Sequence, residues 1–192
     1  MGGICSNTEE ELCSRLEILE YQLLDKSGLN PDEFERKFVT IEMDGEPFHI
    51  RTVIYGDKSK KTLVMTHGYM LSGVMAFFKL FKNLAEHYRL VVFDQGSFGL
   101  NSNRQECHAL NEGPDACEQW LLEWWTKYID ALELPEKFFL AGHSMGGHQS
   151  MLYASQFPHR IEALYLISPA CTQPYDKETY DPYSDPDFEN TK

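Results

Sequence analysis

The stretch FFLAGHSMGGHQS, from Phe138 to Ser150, joins an apolar run to a helical pattern through one serine set between glycines. The run before it reads as a buried strand, and GGHQSMLYASQF after it reads as a helix. A strand that turns straight into a helix must bend sharply, and the residue at the tip is held strained with its side chain exposed. Gly142 and Gly146, two positions to either side of the serine, let the main chain pass itself without a Cβ collision. Ser144 is therefore the candidate nucleophile. The N–H of Met145, at the start of the following helix, is a candidate donor to a developing oxyanion.

The same alternation extends outward. TLVMTHG, YRLVVFD, KFFLAGH and IEALYLIS read as strands. Residues 74–86, 114–132 and 145–156 read as the helices between them. Strands alternating with helices of ten or more residues imply a parallel sheet in an α/β layer. Ahead of them, FVTIEM and PFHIRTVIYG flank Asp44-Gly45, a hairpin signal that adds antiparallel strands at one edge. The spacing of Trp120, Trp124 and Trp125 points to core packing rather than a ligand stack.

A second piece of chemistry sits in THGYM, after the strand ending at Thr66. An acyl-transfer site needs a further N–H from the loop following an earlier strand, and Tyr69 is the candidate. His67 reads as a structural loop residue rather than a base, because it lies on the wrong segment. Asp94 reads as a structural residue at the turn after YRLVVF.

Together HGY, DQGSFGLNS, GHSMGG and YASQFPHRIEALYLISPA resemble the α/β-hydrolase family over about residues 38 to 171. The ISPA run is similar to the branch of lipid enzymes that act on acyl phospholipids and lysophospholipids. The resemblance implies an α/β-hydrolase fold: a mostly parallel sheet with helices on both faces and an N-terminal antiparallel hairpin. It also implies a serine hydrolase of carboxylic esters that works through an acyl-enzyme on Ser144, with oxyanion donors Tyr69 and Met145 and elbow glycines Gly142 and Gly146. The family orders its triad as serine, then acid, then histidine, yet no histidine follows His159. Asp176, Asp181, Asp185 and Asp187 fall in a segment with no strand pattern. The expectation is a chain truncated before the lid, the last strands and the catalytic acid and histidine. The H-x-x-x-x-D pattern of acyltransferases in that branch fails at all seven histidines. His143 and His148 flank the elbow and read as strand and helix packing rather than as the base.

The chain opens MGGICS. Removal of Met1 exposes Gly2, with Ser6 where a myristoylation pattern wants it and Cys5 placed to take a palmitoyl chain. Two acyl chains can hold a protein on a membrane where one cannot. Thr8 and Glu11 then form a capping-box pattern for a helix in which Leu12, Leu16, Leu19 and Leu23 recur at helical spacing, with Gly28 marking the stop.

Composition narrows the function classes. The 192 residues, 42 % of them apolar, suffice for one core. A net charge of -13 opposes nucleic acid and a polybasic grip on anionic lipid. The five cysteines are scattered and fit a reducing compartment, and no run of 18 apolar residues occurs. Cys107, His108 and Cys117 do not match a zinc spacing, and the sequence requires no metal or other cofactor.

The expected organisation is an acylation motif and amphipathic helix at 1–33, an α/β-hydrolase core at 34–171 and the start of a lid insertion or tail at 172–192. The expected protein is cytoplasmic, with acylation as its route to the cytoplasmic face of a membrane. Its expected partner is a lipid or small ester substrate, not nucleic acid. Two rival functions are a catalytically silent, membrane-tethered binding module and a lipid acyltransferase.

Overall fold

A computed structural model describes residues 9–101 and 113–170. The elements are α1 (Glu9–Lys26), β1 (Glu35–Met43), β2 (Glu46–Tyr55), β3 (Lys61–Thr66), α2 (Gly73–Ala85), β4 (Tyr88–Phe93), α3 (Pro114–Ala131), β5 (Phe138–His143), α4 (Met145–Gln156) and β6 (Ile161–Ile167). Six strands form one sheet in the order β1-β2-β4-β3-β5-β6. β1, β2 and β4 pair antiparallel, whereas β4, β3, β5 and β6 run parallel. The architecture is the α/β-hydrolase fold that the family resemblance implies, with the parallel sheet expected from the alternation of strand and helix patterns.

Local chemistry explains these elements. At the β1–β2 turn, Asp44 and Gly45 both adopt positive φ, 54° and 77°, and Met43 pairs with Glu46 across the two-residue loop. That geometry matches the twist of the flanking strands, and Gly supplies it without a Cβ penalty. β1 lies at an edge, and its burial alternates over Val39, Ile41 and Met43. β3 and β4 are central and are buried nearly throughout, because helices cover both their faces.

The sheet separates two cores. On one face Trp124, Trp125, Tyr128 and Ile129 of α3, with Tyr153 of α4, pack on Ile50, Val91, Phe93, Phe138 and Leu140. Trp124 and Trp125 are fully buried, so the tryptophan spacing does mark core packing. On the other face Leu24 of α1 and Val74, Phe77 and Phe81 of α2 cover Val53, Leu63, Met65 and Val92.

The N-terminal helix forms, but its buried stripe differs from the leucine spacing. Leu12, Leu16 and Leu19 are exposed; Glu20, Leu24 and Ser27 are buried instead. The charged Glu20 is drawn inward because Arg51 of β2 meets it at 2.6 Å through Nη2 and 3.2 Å through Nε. A buried bidentate pair thus sets the helix's rotation. Thr8 of the capping-box pattern lies outside the described residues.

Candidate functional site

β3 and β5 are neighbours, yet the helices that follow them lie on opposite faces. A crevice opens outside the carboxyl ends of strands at such a switch point. The segments entering it are Gly68–Tyr69 after β3 and Ser144 after β5.

Ser144 has φ 53° and ψ −120°. A side chain at positive φ costs on the order of 1–3 kcal/mol and persists only where its surroundings over-determine it. Here they do. The Ser144 amide donates to Ile167 O at 3.0 Å, and its carbonyl accepts from Gly147 N at 2.9 Å, His148 N at 3.2 Å and Ala170 N at 2.9 Å. The elbow glycines are required by close packing. A Cβ on Gly142 would strike the Gly146 carbonyl and come within 2.5 Å of Ser150 Oγ. A Cβ on Gly146 would strike the carbonyls of His67 and Thr66. β5, α4 and the loop after β3 are thereby drawn together around Ser144.

Met145 is the first residue of α4, so its N–H has no carbonyl one turn back to bond. On the other side, a Cβ on Gly68 would come within 3.0 Å of both Ser144 Cβ and His143 Nδ1. Tyr69 follows directly, 65 % exposed, its ring 5.2 Å from Phe98. The structure therefore brings together the segments of Tyr69, Ser144 and Met145. Tyr69 and Met70, in the loop after β3, are exposed apolar side chains, and Met75 of α2 lines a cavity of about 410 Å³ with Leu16, Leu19 and Leu23 of α1.

His67 is fully buried. Its Nε2 accepts the Gln95 amide at 2.9 Å, so the proton of the neutral ring sits on Nδ1, which donates to Gly68 O at 2.6 Å. Gln95 Nε2 returns a hydrogen bond to the His67 carbonyl, and Thr66 Oγ1 donates to Gln95 Oε1 at 3.1 Å. Burial lowers the His67 pKa to about 4; the Gly68 carbonyl opposes this and His143 adds to it. This ring is a fixed strut that shapes the loop after β3. The Thr66–Gln95–His67 network was missed from the sequence because no spacing pattern announces it.

Asp94 is likewise structural. Oδ1 accepts from Gly73 N at 2.7 Å, Oδ2 from Leu100 N at 2.8 Å, and the Asn101 amide donates to its carbonyl at 2.7 Å. Burial raises its pKa to about 6 despite those N–H donors. Gly99, at φ +62°, has to be glycine because a Cβ there would meet the Asp94 carboxylate.

Three other histidines are engaged elsewhere. His148 Nε2 lies 3.5 Å from Glu118 Oε1, His49 Nδ1 lies 2.8 Å from Thr40 Oγ1, and His159 stands edge-on to Phe157. Among the described residues no histidine ring is hydrogen-bonded to the Ser144 hydroxyl. None of them groups into a metal-binding cluster. Cys107 and His108, weighed with Cys117 as metal ligands, lie outside the described residues, as do Gly2, Cys5, Asp176, Asp181, Asp185 and Asp187. Among the described residues no helix is long and apolar enough to cross a membrane.

The family model described as alpha/beta hydrolase fold matches residues 61–191. A probable 1-acylglycerol-3-phosphate O-acyltransferase of Oryza sativa subsp. japonica is 35 % identical over 127 residues, covering 65 % of this chain and 29 % of that protein. A 2-hydroxy-6-oxo-2,4-heptadienoate hydrolase of Pseudomonas putida is 31 % identical over 121 residues, covering 62 % of this chain and 41 % of that one. The crystal structure of a bacterial membrane phospholipase A superposes with a TM-score of 0.62 at 25 % identity, over 86 % of this chain and 47 % of that one. The chain spans less than half the length of each.

Proposed function

Because this chain belongs to the alpha/beta hydrolase fold family, we propose that Ser144 is an acyl-accepting nucleophile for carboxylic esters of lipids. The observation that carries the reading is the strained Ser144 at the β5–α4 junction, held by main-chain hydrogen bonds on both its amide and its carbonyl. Ser144 Oγ attacks the ester carbonyl carbon while its proton passes to a base. The resulting oxyanion is held by the N–H groups of Met145 and Tyr69. Collapse expels the alcohol and leaves an acyl-enzyme, which water then hydrolyses. Among the described residues none is hydrogen-bonded to Ser144 Oγ as that base. The exposed apolar side chains of Tyr69 and Met70, directly after Gly68, suit an acyl chain. Acylation at Gly2 and Cys5 would keep the site near lipid.

Similarity to the probable acyltransferase of rice favours a second reading, in which the acyl-enzyme passes its acyl group to a lysophospholipid hydroxyl rather than to water. Product analysis with and without a lysophospholipid acceptor separates the two.

The test is intact-mass analysis after incubation with p-nitrophenyl butyrate. A butyryl adduct that maps to Ser144 and is lost in Ser144→Ala supports the reading. Equal acylation of both proteins overturns it.

A further inference from the structure

We propose that a cleft at the amino ends of β3, β4 and β5 binds a phosphate-bearing anion, at the far end of the sheet from Ser144. In a chain with a net charge of -13, five cationic side chains line this one cavity of about 630 Å³: Lys58, Lys60, Lys61, Arg89 and Lys137. Only two carboxylates, Glu133 and Glu162, face them. A smaller cavity of about 270 Å³ adjoins it and shares Lys58, Arg89 and Glu133.

Arg89 is the anchor. It is 7 % exposed, as deeply buried as Arg51 at 6 %. Arg51 is satisfied by both Glu20 oxygens. Among the described residues the Arg89 guanidinium has no hydrogen-bond or ion-pair partner, although it lines both cavities. Its aliphatic stem is buried while the guanidinium reaches the cavities, where its five N–H donors form a rigid fork matched to phosphate oxygens. Glu35, which lines the smaller cavity with Arg89, is paired with Lys37 at 2.7 Å. That contact is the main cause of its lowered pKa, with Arg89 contributing only at longer range.

The surrounding cations are also largely uncommitted. Lys61 lies over the Phe139 ring at 5.4 Å, and neither it nor Lys137 has a carboxylate partner among the described residues. Lys58 reaches Glu133 only at 3.4 Å, with both groups in solvent, where such pairs contribute little. Lys60 is spent on the Ala85 carbonyl at 2.6 Å. A fork plus free ammonium groups favours a doubly charged tetrahedral anion over a single carboxylate. Leu134, Pro135 and Phe139 add an apolar wall for an attached organic group.

The site is separate from the nucleophile. β3 and β5 are six residues long, and Ser144 follows the carboxyl end of β5, which places the two about 20 Å apart. The ligand is a free phosphorylated small molecule or the headgroup of a phospholipid, and both present the same phosphate chemistry.

The experiment titrates the full chain at low salt with pyrophosphate by calorimetry, and in parallel sediments it with phosphatidylcholine vesicles with and without phosphatidic acid. Binding of pyrophosphate alone identifies a soluble ligand; sedimentation with phosphatidic acid alone identifies a headgroup. In whichever arm binds, Lys61→Ala combined with Lys137→Ala should weaken binding about tenfold through loss of charge-assisted contacts, with an unchanged melting profile. Arg89→Leu should abolish binding, and the lysine pair keeps the test readable if that variant misfolds. No binding in either arm, or unchanged affinity in the lysine variant, overturns the proposal.

Discussion

The amide of Ala170 donates to the carbonyl oxygen of Ser144 across 2.9 Å. The segment after β6 therefore clamps the elbow from outside, while the Ser144 amide bonds Ile167 O from within. This is a physical use for the Ser168-Pro169-Ala170 run: it adds a third donor to the carbonyl that also accepts from the first turn of α4, and so ties the strained turn to the strand beside it.

The clamp leaves no room at the glycines beneath it. A Cβ on Gly147 would come within 2.8 Å of Pro169 Cβ, 3.0 Å of Pro169 Cα and 3.1 Å of Gly142 O. On Gly146 it would instead strike main-chain carbonyls of β3 and its loop. Gly147→Ala is expected to cost about 1–3 kcal/mol, the range for over-packing, and Gly146→Ala more than that. Urea midpoints of the two variants, compared with the parent chain, check the order.

Much of this was legible before any coordinates. The mostly parallel sheet and its antiparallel edge hairpin follow from strand–helix alternation and the Asp44-Gly45 turn, because both are local signals with a steric cause. Ser144, Gly142 and Gly146 were legible because a strand-to-helix reversal admits few residue types at those positions. The rotation of α1 was not. It depends on Arg51, thirty-one positions beyond Glu20, and a periodic leucine pattern says nothing about a buried ion pair. The basic cleft was hidden for the same reason: Lys58, Arg89 and Lys137 are distant in sequence and meet only once the strands are laid side by side.

The Glu20–Arg51 pair is expected to show strong coupling. Arg51→Met leaves Glu20 buried near Asp94 without its cation, and Glu20→Leu strands the guanidinium over the Phe38 ring. Each single change should cost about 3–5 kcal/mol, whereas replacing both with apolar side chains should be near neutral. A double-mutant cycle on denaturation free energies reads the coupling directly. Additive losses would show that the pair does not position α1.

His67 should make stability depend on pH in a defined direction. Its folded pKa is about 4 against an ordinary 6.5, so between those values the unfolded chain binds more protons than the folded one. Stability from this group is fully present above about pH 6.5 and is lost as pH falls toward 4. In His67→Asn that contribution disappears. The plot of unfolding free energy against pH should then be less steep than in the parent by up to about 1.4 kcal/mol per pH unit. Asp94 has the opposite sign, since its raised pKa costs stability as pH climbs through about 6, but that contribution cancels in the comparison of variant with parent.

N-terminal acylation is a separate expectation. Gly2 should carry myristate when the chain is made in a eukaryotic cell, and Cys5→Ser should loosen membrane association, because one chain holds only weakly. Intact mass and vesicle sedimentation read the two claims independently, and an unmodified start would reject the first.

The last prediction concerns how Ser144 reacts. A serine hydroxyl is a weak nucleophile unless a base takes its proton. Among the described residues His67 is neutral, buried and bonded through both nitrogens, and His148 faces Glu118. With no positioned base among the described residues, acylation of this chain by an activated ester should be slow. In subtilisin, loss of the base costs about 10⁶ in turnover, with roughly 10³–10⁴ over water surviving from binding and the oxyanion hole. The Ser144-dependent rate should then rise with hydroxide concentration through neutral pH and show no plateau. A plateau with a midpoint in the histidine range, lost in Ser144→Ala, would mean that a histidine already serves. His143, whose Nδ1 lies against Gly68 beside the serine, is the first to replace in that event. If His143→Ala left the plateau in place, His148→Ala would be the next measurement.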